Sequence, residues 1–173
     1  MAVLIEGISV VVLCRSIVGK MSGGVEGFMN NCSNSTLRSD GELACLTFMT
    51  PNDVKVYVEA LCEGGLIYRG ADGFAVDLVV VDQFQGPLAP CDWLRFGHLN
   101  WDNDPDKVIA VCGAYPAKSS NVVVPYGWQY ESSLTAKGRF VAGDDVPAGL
   151  EFVRSEKGID VLKDKKGSRF IFP

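Results

Sequence analysis

Histidine is almost missing from this chain: His98 stands alone among 173 residues. Catalytic zinc centres usually draw two or three histidines into one site, so metal chemistry of that kind is excluded. The six cysteines, at 14, 32, 45, 62, 91 and 112, include no Cys-x-x-Cys pair. That absence argues against zinc knuckles and thioredoxin-like redox motifs. No run of about 18 apolar residues is present to span a membrane. Positive charge is also scarce, with 16 Lys and Arg against 21 Asp and Glu and a net charge of −5. A phosphate backbone is therefore not the expected partner, and no nucleic-acid binding is expected.

The opening residues carry no base ahead of their apolar stretch, and Glu6 and Gly7 interrupt it. A secretory signal is not expected, and the chain reads as cytoplasmic with reduced cysteines. Asn31-Cys32-Ser33 and Asn34-Ser35-Thr36 have the form of glycosylation acceptors, a form that matters only on the secretory route.

A hydrophobic fraction of 47% in a chain of this length fits one domain with a sizeable core. The clearest element is a helix over Pro51–Glu63. Thr50 suits its N-cap, Pro51 its first position and Asp53 the positive end of its dipole. Val54, Tyr57, Val58, Leu61 and Cys62 recur on one face, and Gly64-Gly65 ends it. Strands are expected on either side, at Leu43–Met49 and Leu66–Arg69, and a β-branched strand at Ile8–Cys14. A short helix capped by Ser22 is expected to turn Val25, Phe28 and Met29 inward, and Asn30–Gly41 reads as a loop. Beyond residue 70 the expected strands are Phe74–Phe84, Asp92–Leu99, Val108–Ala114, Val122–Val124 and Arg139–Ala142. A meander follows at Glu151–Arg154, Ile159–Lys163 and Arg169–Phe172. The expected class is α+β. Two N-terminal helices pack on one face of a mostly antiparallel, strand-rich sheet with a C-terminal β-meander. Residues 1–70 form a βαβαβ-like portion of that single domain, and 71–173 the strand-rich portion.

Two motifs come close to known chemistry and fall short. Cys14-Arg15-Ser16-Ile17-Val18-Gly19-Lys20-Met21 has the spacing of a phosphate loop, but Cys14 replaces its first glycine and Met21 its magnesium-binding hydroxyl. Asp102-Asn103-Asp104-Pro105-Asp106 begins like a calcium loop, but Lys107 and Gly113 occupy the positions of the turn glycine and closing glutamate. Asp102, Asp104 and Asp106 remain candidates for a looser cation site, with Asx turns as the plain alternative. No Gly-x-Ser-x-Gly elbow is present, and no cofactor is expected. Asp144-Asp145 has the look of turn chemistry. Lys163, Lys165, Lys166 and Arg169, the one basic cluster, has that of a solvated hairpin.

The richest stretch is 91–106, which holds the histidine, two of the three tryptophans, one cysteine and four aspartates. Cys91 and His98 differ by an odd number and face opposite ways on an extended strand, so a Cys–His nucleophile needs a bend at Gly97. Aromatics crowd the middle and the loops beyond it, and Trp and Tyr favour pockets and interfaces. The leading expectation is a non-catalytic binding protein that holds a protein partner or a small ligand. Its candidate contact residues are Trp93, Arg95, His98, Trp101, Tyr126, Trp128 and Tyr130. The alternative is a small hydrolase or lyase using His98 with Asp92, Asp102, Asp104 or Asp106, with Cys91 a further catalytic candidate, with or without a divalent cation. A homodimer through an edge strand is also expected.

Overall fold

The computed structural model describes residues 1–116, 121–137, 139–140, 151–156, 159–163 and 169–172, with side chains up to residue 136. Helices and strands both contribute, as the α+β expectation requires, but among the described residues the expected single sheet divides into three.

The first division falls at Glu6-Gly7. The strand β1 (Ala2–Ile5) belongs to one sheet and β2 (Ile8–Leu13) to another. A second strand, β4 (Leu43–Phe48), pairs antiparallel with β2, and β5 (Leu78–Asp82) pairs with its other side. Two short edges, β3 (Arg38–Ser39) and β6 (Gly86–Pro87), complete the order β3-β4-β2-β5-β6. The other sheet has the order β7-β8-β1-β9, from β7 (Leu94–Asn100), β8 (Val108–Ala114) and β9 (Val122–Val123). Its β1–β9 pairing is parallel and the rest antiparallel.

The layering follows from the period-2 alternation of the strands. Val10 and Val12 of β2 face the helices, and Val11 and Leu13 face the second sheet. Val3 and Ile5 of β1 meet that same sheet–sheet core, whereas Ala2 and Leu4 face the other way. Both central strands are thus buried on both faces, which is why their sequences read as unbroken apolar runs.

Three helices, not two, contribute buried residues to the outer layer. Helix α1 (Cys14–Lys20) starts directly where β2 ends and buries Ile17. Helix α2 (Gly24–Asn31) buries Phe28 but leaves Val25 and Met29 exposed. Its N-cap is Gly23 rather than Ser22. Helix α3 (Pro51–Glu63) buries Val54, Tyr57 and Leu61, and its Thr50 hydroxyl accepts the Asp53 N–H at 3.1 Å, as expected.

Two expected strands shrink. Residues 66–69 form only an isolated bridge, Arg69 to Ala75, and 74–77 lie outside the ladder. The backbone N–H groups of Ala75, Val76 and Asp77 donate instead to the Pro90, Tyr68 and Ile67 carbonyls, and the Asp77 carboxylate turns to the Ile67 N–H and to α1. The C-terminal strands β11 (Glu151–Glu156), β12 (Ile159–Lys163) and β13 (Arg169–Phe172) pair antiparallel in sequence. A short helix α4 (Leu134–Lys137) leads to β10 (Arg139–Phe140), which joins β13 in parallel. Asp144-Asp145 and the side chains of the basic cluster lie outside the described residues. No helix among the described residues is long and apolar enough to cross a membrane. All six cysteines are free thiols.

Candidate functional site

The stretch 91–106 is laid out along an edge strand and its turn, and its candidate catalytic residues stay apart. Cys91 precedes β7 and packs half-buried against the sheet–sheet core. Burial pushes its thiol up to about 11, so it carries no thiolate at neutral pH. His98 is exposed, and its ring meets that of Phe96 edge to face, with centroids 5.2 Å apart. Asp92 is exposed ahead of the strand and makes no hydrogen bond to His98. The strand does not bend at Gly97: the β7–β8 register runs without a break from Leu94 to Asn100.

Trp93 and Arg95 serve local packing. The Trp93 indole donates to the Ala75 carbonyl at 3.0 Å, and the Arg95 guanidinium sits 4.5 Å over the Tyr115 ring. Trp93 also lines a small cavity of about 230 Å³ with Arg15, Glu42 and Tyr115.

Asp102, Asp104 and Asp106 build the β7–β8 turn. Asp102 and Asn103 take left-handed φ of 54° and 59°, Asp104 Oδ1 accepts the Asp106 N–H at 3.0 Å, and the Trp101 N–H donates to the Lys107 carbonyl. This is the Asx-turn arrangement. No group of three or more His, Cys, Asp or Glu gathers for a metal among the described residues.

The other half of the aromatic set does converge. Trp101, Trp128 and Tyr130 stack edge to face, with ring centroids 4.9 and 6.4 Å apart, over the outer face of β1 and β8. Lys107 holds this group from the turn side, 2.9 Å from Glu131 and 5.4 Å from the Tyr130 ring centroid. The deciding residue is one that sequence reading treated only as an interruption. Glu6 is 7% exposed and accepts the Trp128 indole N–H at 3.1 Å on Oε2. Its Oε1 accepts the Thr135 N–H at 3.2 Å and the Thr135 hydroxyl at 2.9 Å. An acid inside an apolar strand run was the available signal; its partners, more than 120 positions away, were not.

Between this aromatic segment and the start of α3 lies a cavity of about 670 Å³. Glu6, Trp128, Tyr126 and Gln129 line it together with Asn34, Thr36, Thr47 and Asp53. Part of this lining is stitched together locally. The Asn34 side chain donates to the Thr47 carbonyl, and the Thr36 hydroxyl accepts the Thr47 N–H, both at 2.9 Å. Tyr126, 102% exposed, stands on a turn whose Gly127 takes φ +74°. A second cavity of about 580 Å³ shares Asn34, Phe48 and Asp53 with the first and reaches Tyr57 and Asn31.

No family model, curated protein or solved structure matches this chain.

The phosphate-loop-like residues have a different use. Because α1 begins at Cys14, no loop is left to cradle a phosphate. Ser16 and Lys20, one helical turn apart, both donate to Asp77 Oδ1 at 2.7 Å. Asp77 Oδ2 accepts the Ile67 N–H at 2.8 Å. This cluster joins α1, the segment after α3 and the approach to β5.

Proposed function

We propose that the chain is a non-catalytic cytoplasmic binding protein that holds a small ligand in the cavity that Tyr126 helps to line. The observation that carries the reading is Tyr126 itself: a fully exposed ring at a cavity of about 670 Å³ that also contains a buried carboxylate. A ring so exposed contributes nothing to the core, and its place at the cavity suits contact with a ligand. The separation of His98 from Cys91 and from the aspartates favours binding over turnover. Six free thiols suit a reducing compartment. The edge β7, paired with β8 on one side only among the described residues, offers a second copy a strand to extend, and sedimentation would weigh such a dimer.

The test is an NMR fragment screen on the ¹⁵N-labelled protein. Binders are expected to shift the Trp128 indole N–H and the Gly127 amide. Tyr126→Ala is expected to weaken them by roughly fivefold or more while leaving the melting temperature within a degree or two. His98→Ala is expected to leave affinity unchanged. Binders that instead shift His98 and Asp92, or a full screen that moves neither Trp128 nor Gly127, would overturn the reading.

A further inference from the structure

We infer that this cavity selects an organic cation, a quaternary or protonated amine, over a neutral or anionic ligand. The inference rests on the cavity being the binding site and adds its ligand class.

Charge supports it first. Glu6 and Asp53 both line the cavity, and no Lys or Arg is among its described lining residues. Glu6 receives only neutral donors, the indole of Trp128 and the N–H and hydroxyl of Thr135, and makes no salt bridge among the described residues. Those donors orient the carboxylate without cancelling its charge, so its field extends into the cavity, and low-dielectric walls focus it there. Arg38 is buried behind the lining, 3% exposed, with its guanidinium engaged by the Leu4 and Thr36 carbonyls and the Ser9 hydroxyl. Two carboxylates at the surface of the cavity against one guanidinium behind it leave the balance negative.

The aromatic groups point the same way. Tyr126 and Trp128 line the same cavity as Glu6, and aromatic rings together with a carboxylate are the groups that recognise ammonium. The remaining lining is amide and hydroxyl, from Asn34, Thr36, Thr47 and Gln129, which can hydrogen-bond a polar substituent but adds no positive charge. An anion would meet the Glu6 and Asp53 carboxylates with no lysine or arginine among the described lining residues to receive it.

Choline and its neutral isostere 3,3-dimethylbutan-1-ol separate charge from shape. Titrated into the full chain with the Trp128 indole N–H as readout, choline is expected to bind roughly tenfold more tightly than the alcohol. Tyr126→Leu is expected to remove most of that preference, and Tyr126→Phe to keep it. Because Tyr126 is fully exposed, both variants test contact rather than folding. Glu6→Gln is expected to lower choline affinity more than that of the alcohol, narrowing the gap between the two probes. Equal affinities for the two probes overturn the cation inference and leave the cavity as the site. So does a Trp128 shift given by neutral sugars or small carboxylates but not by choline. Silence of Trp128 toward every probe overturns both.

Discussion

Asp77 is 1% exposed and still ionises more readily than a free aspartate. Burial alone drives its pKa up, but hydrogen bonds from the Lys20 ammonium, the Ser16 hydroxyl and the Ile67 N–H outweigh that and hold it below the ordinary value. A carboxyl lowered on folding stabilises the protein fully above its unfolded pKa, about 3.9. That contribution is lost as pH falls through the lower, folded pKa. Asp77→Asn is accordingly expected to cost about 3 kcal/mol at pH 7, the lower end for breaking a buried pair, because Lys20 is 48% exposed on its side chain. Urea unfolding at neutral pH and at successively lower values below the unfolded pKa reads both quantities. The gap between wild type and variant should narrow as pH falls, since protonation removes in the wild type what the amide lacks. A gap constant across the series would mean that Asp77 does not carry this charge. Ser16 and Lys20 were visible in the sequence as part of a failed phosphate loop. Their true partner was hidden because Asp77 sits in an apolar run that reads as continuous strand.

At the level of elements, legibility followed agreement between independent local signals. Helix α3 was readable to the residue because cap, first-turn proline, apolar periodicity and terminal glycines all point to the same bounds. Helix α2 was placed only roughly, since Gly23 and Gly24 both adopt φ above +50° and shift its start past the expected serine. The β1–β2 junction gave no local signal beyond Glu6-Gly7, yet it moves the chain between sheets. Gly7 takes φ +55°, a Cβ there would lie 2.8 Å from the Phe48 carbonyl oxygen, and its N–H donates to Gln83 Oε1 at 2.8 Å. Gly7→Ala therefore combines left-handed backbone cost with a clash against backbone that β4 holds in place, and a loss of about 2 kcal/mol or more is expected. Chemical denaturation of the variant checks it. A change within ~0.5 kcal/mol, typical of an ordinary surface position, would show that the junction relaxes freely.

For the whole molecule, the sequence could indicate an α+β class but not how many layers it makes. Buried strands with both faces covered carry no alternation to show which side meets helices and which meets a second sheet. The candidate site is half legible for a similar reason. Trp101, Tyr126, Trp128 and Tyr130 announce themselves by residue type, whereas Glu6 becomes meaningful only once the fold brings residues 128 and 135 back to it. His98 and Cys91 drew attention by rarity, and rarity says nothing about neighbours. The closure by Glu6 makes a prediction for the whole chain. Glu6→Ala leaves the Trp128 indole and Thr135 without their acceptor, while the apolar contacts of Trp128 with Trp101 and the β1–β8 face remain. Hydrogen exchange is expected to rise across residues 125–135 by roughly tenfold, the equivalent of one lost charge-assisted hydrogen bond. The β1–β8 ladder and α3 should stay protected at their wild-type rates. If exchange rose equally throughout, Glu6 would be supporting the global fold. If it rose nowhere, the aromatic segment would be held by its ring packing alone.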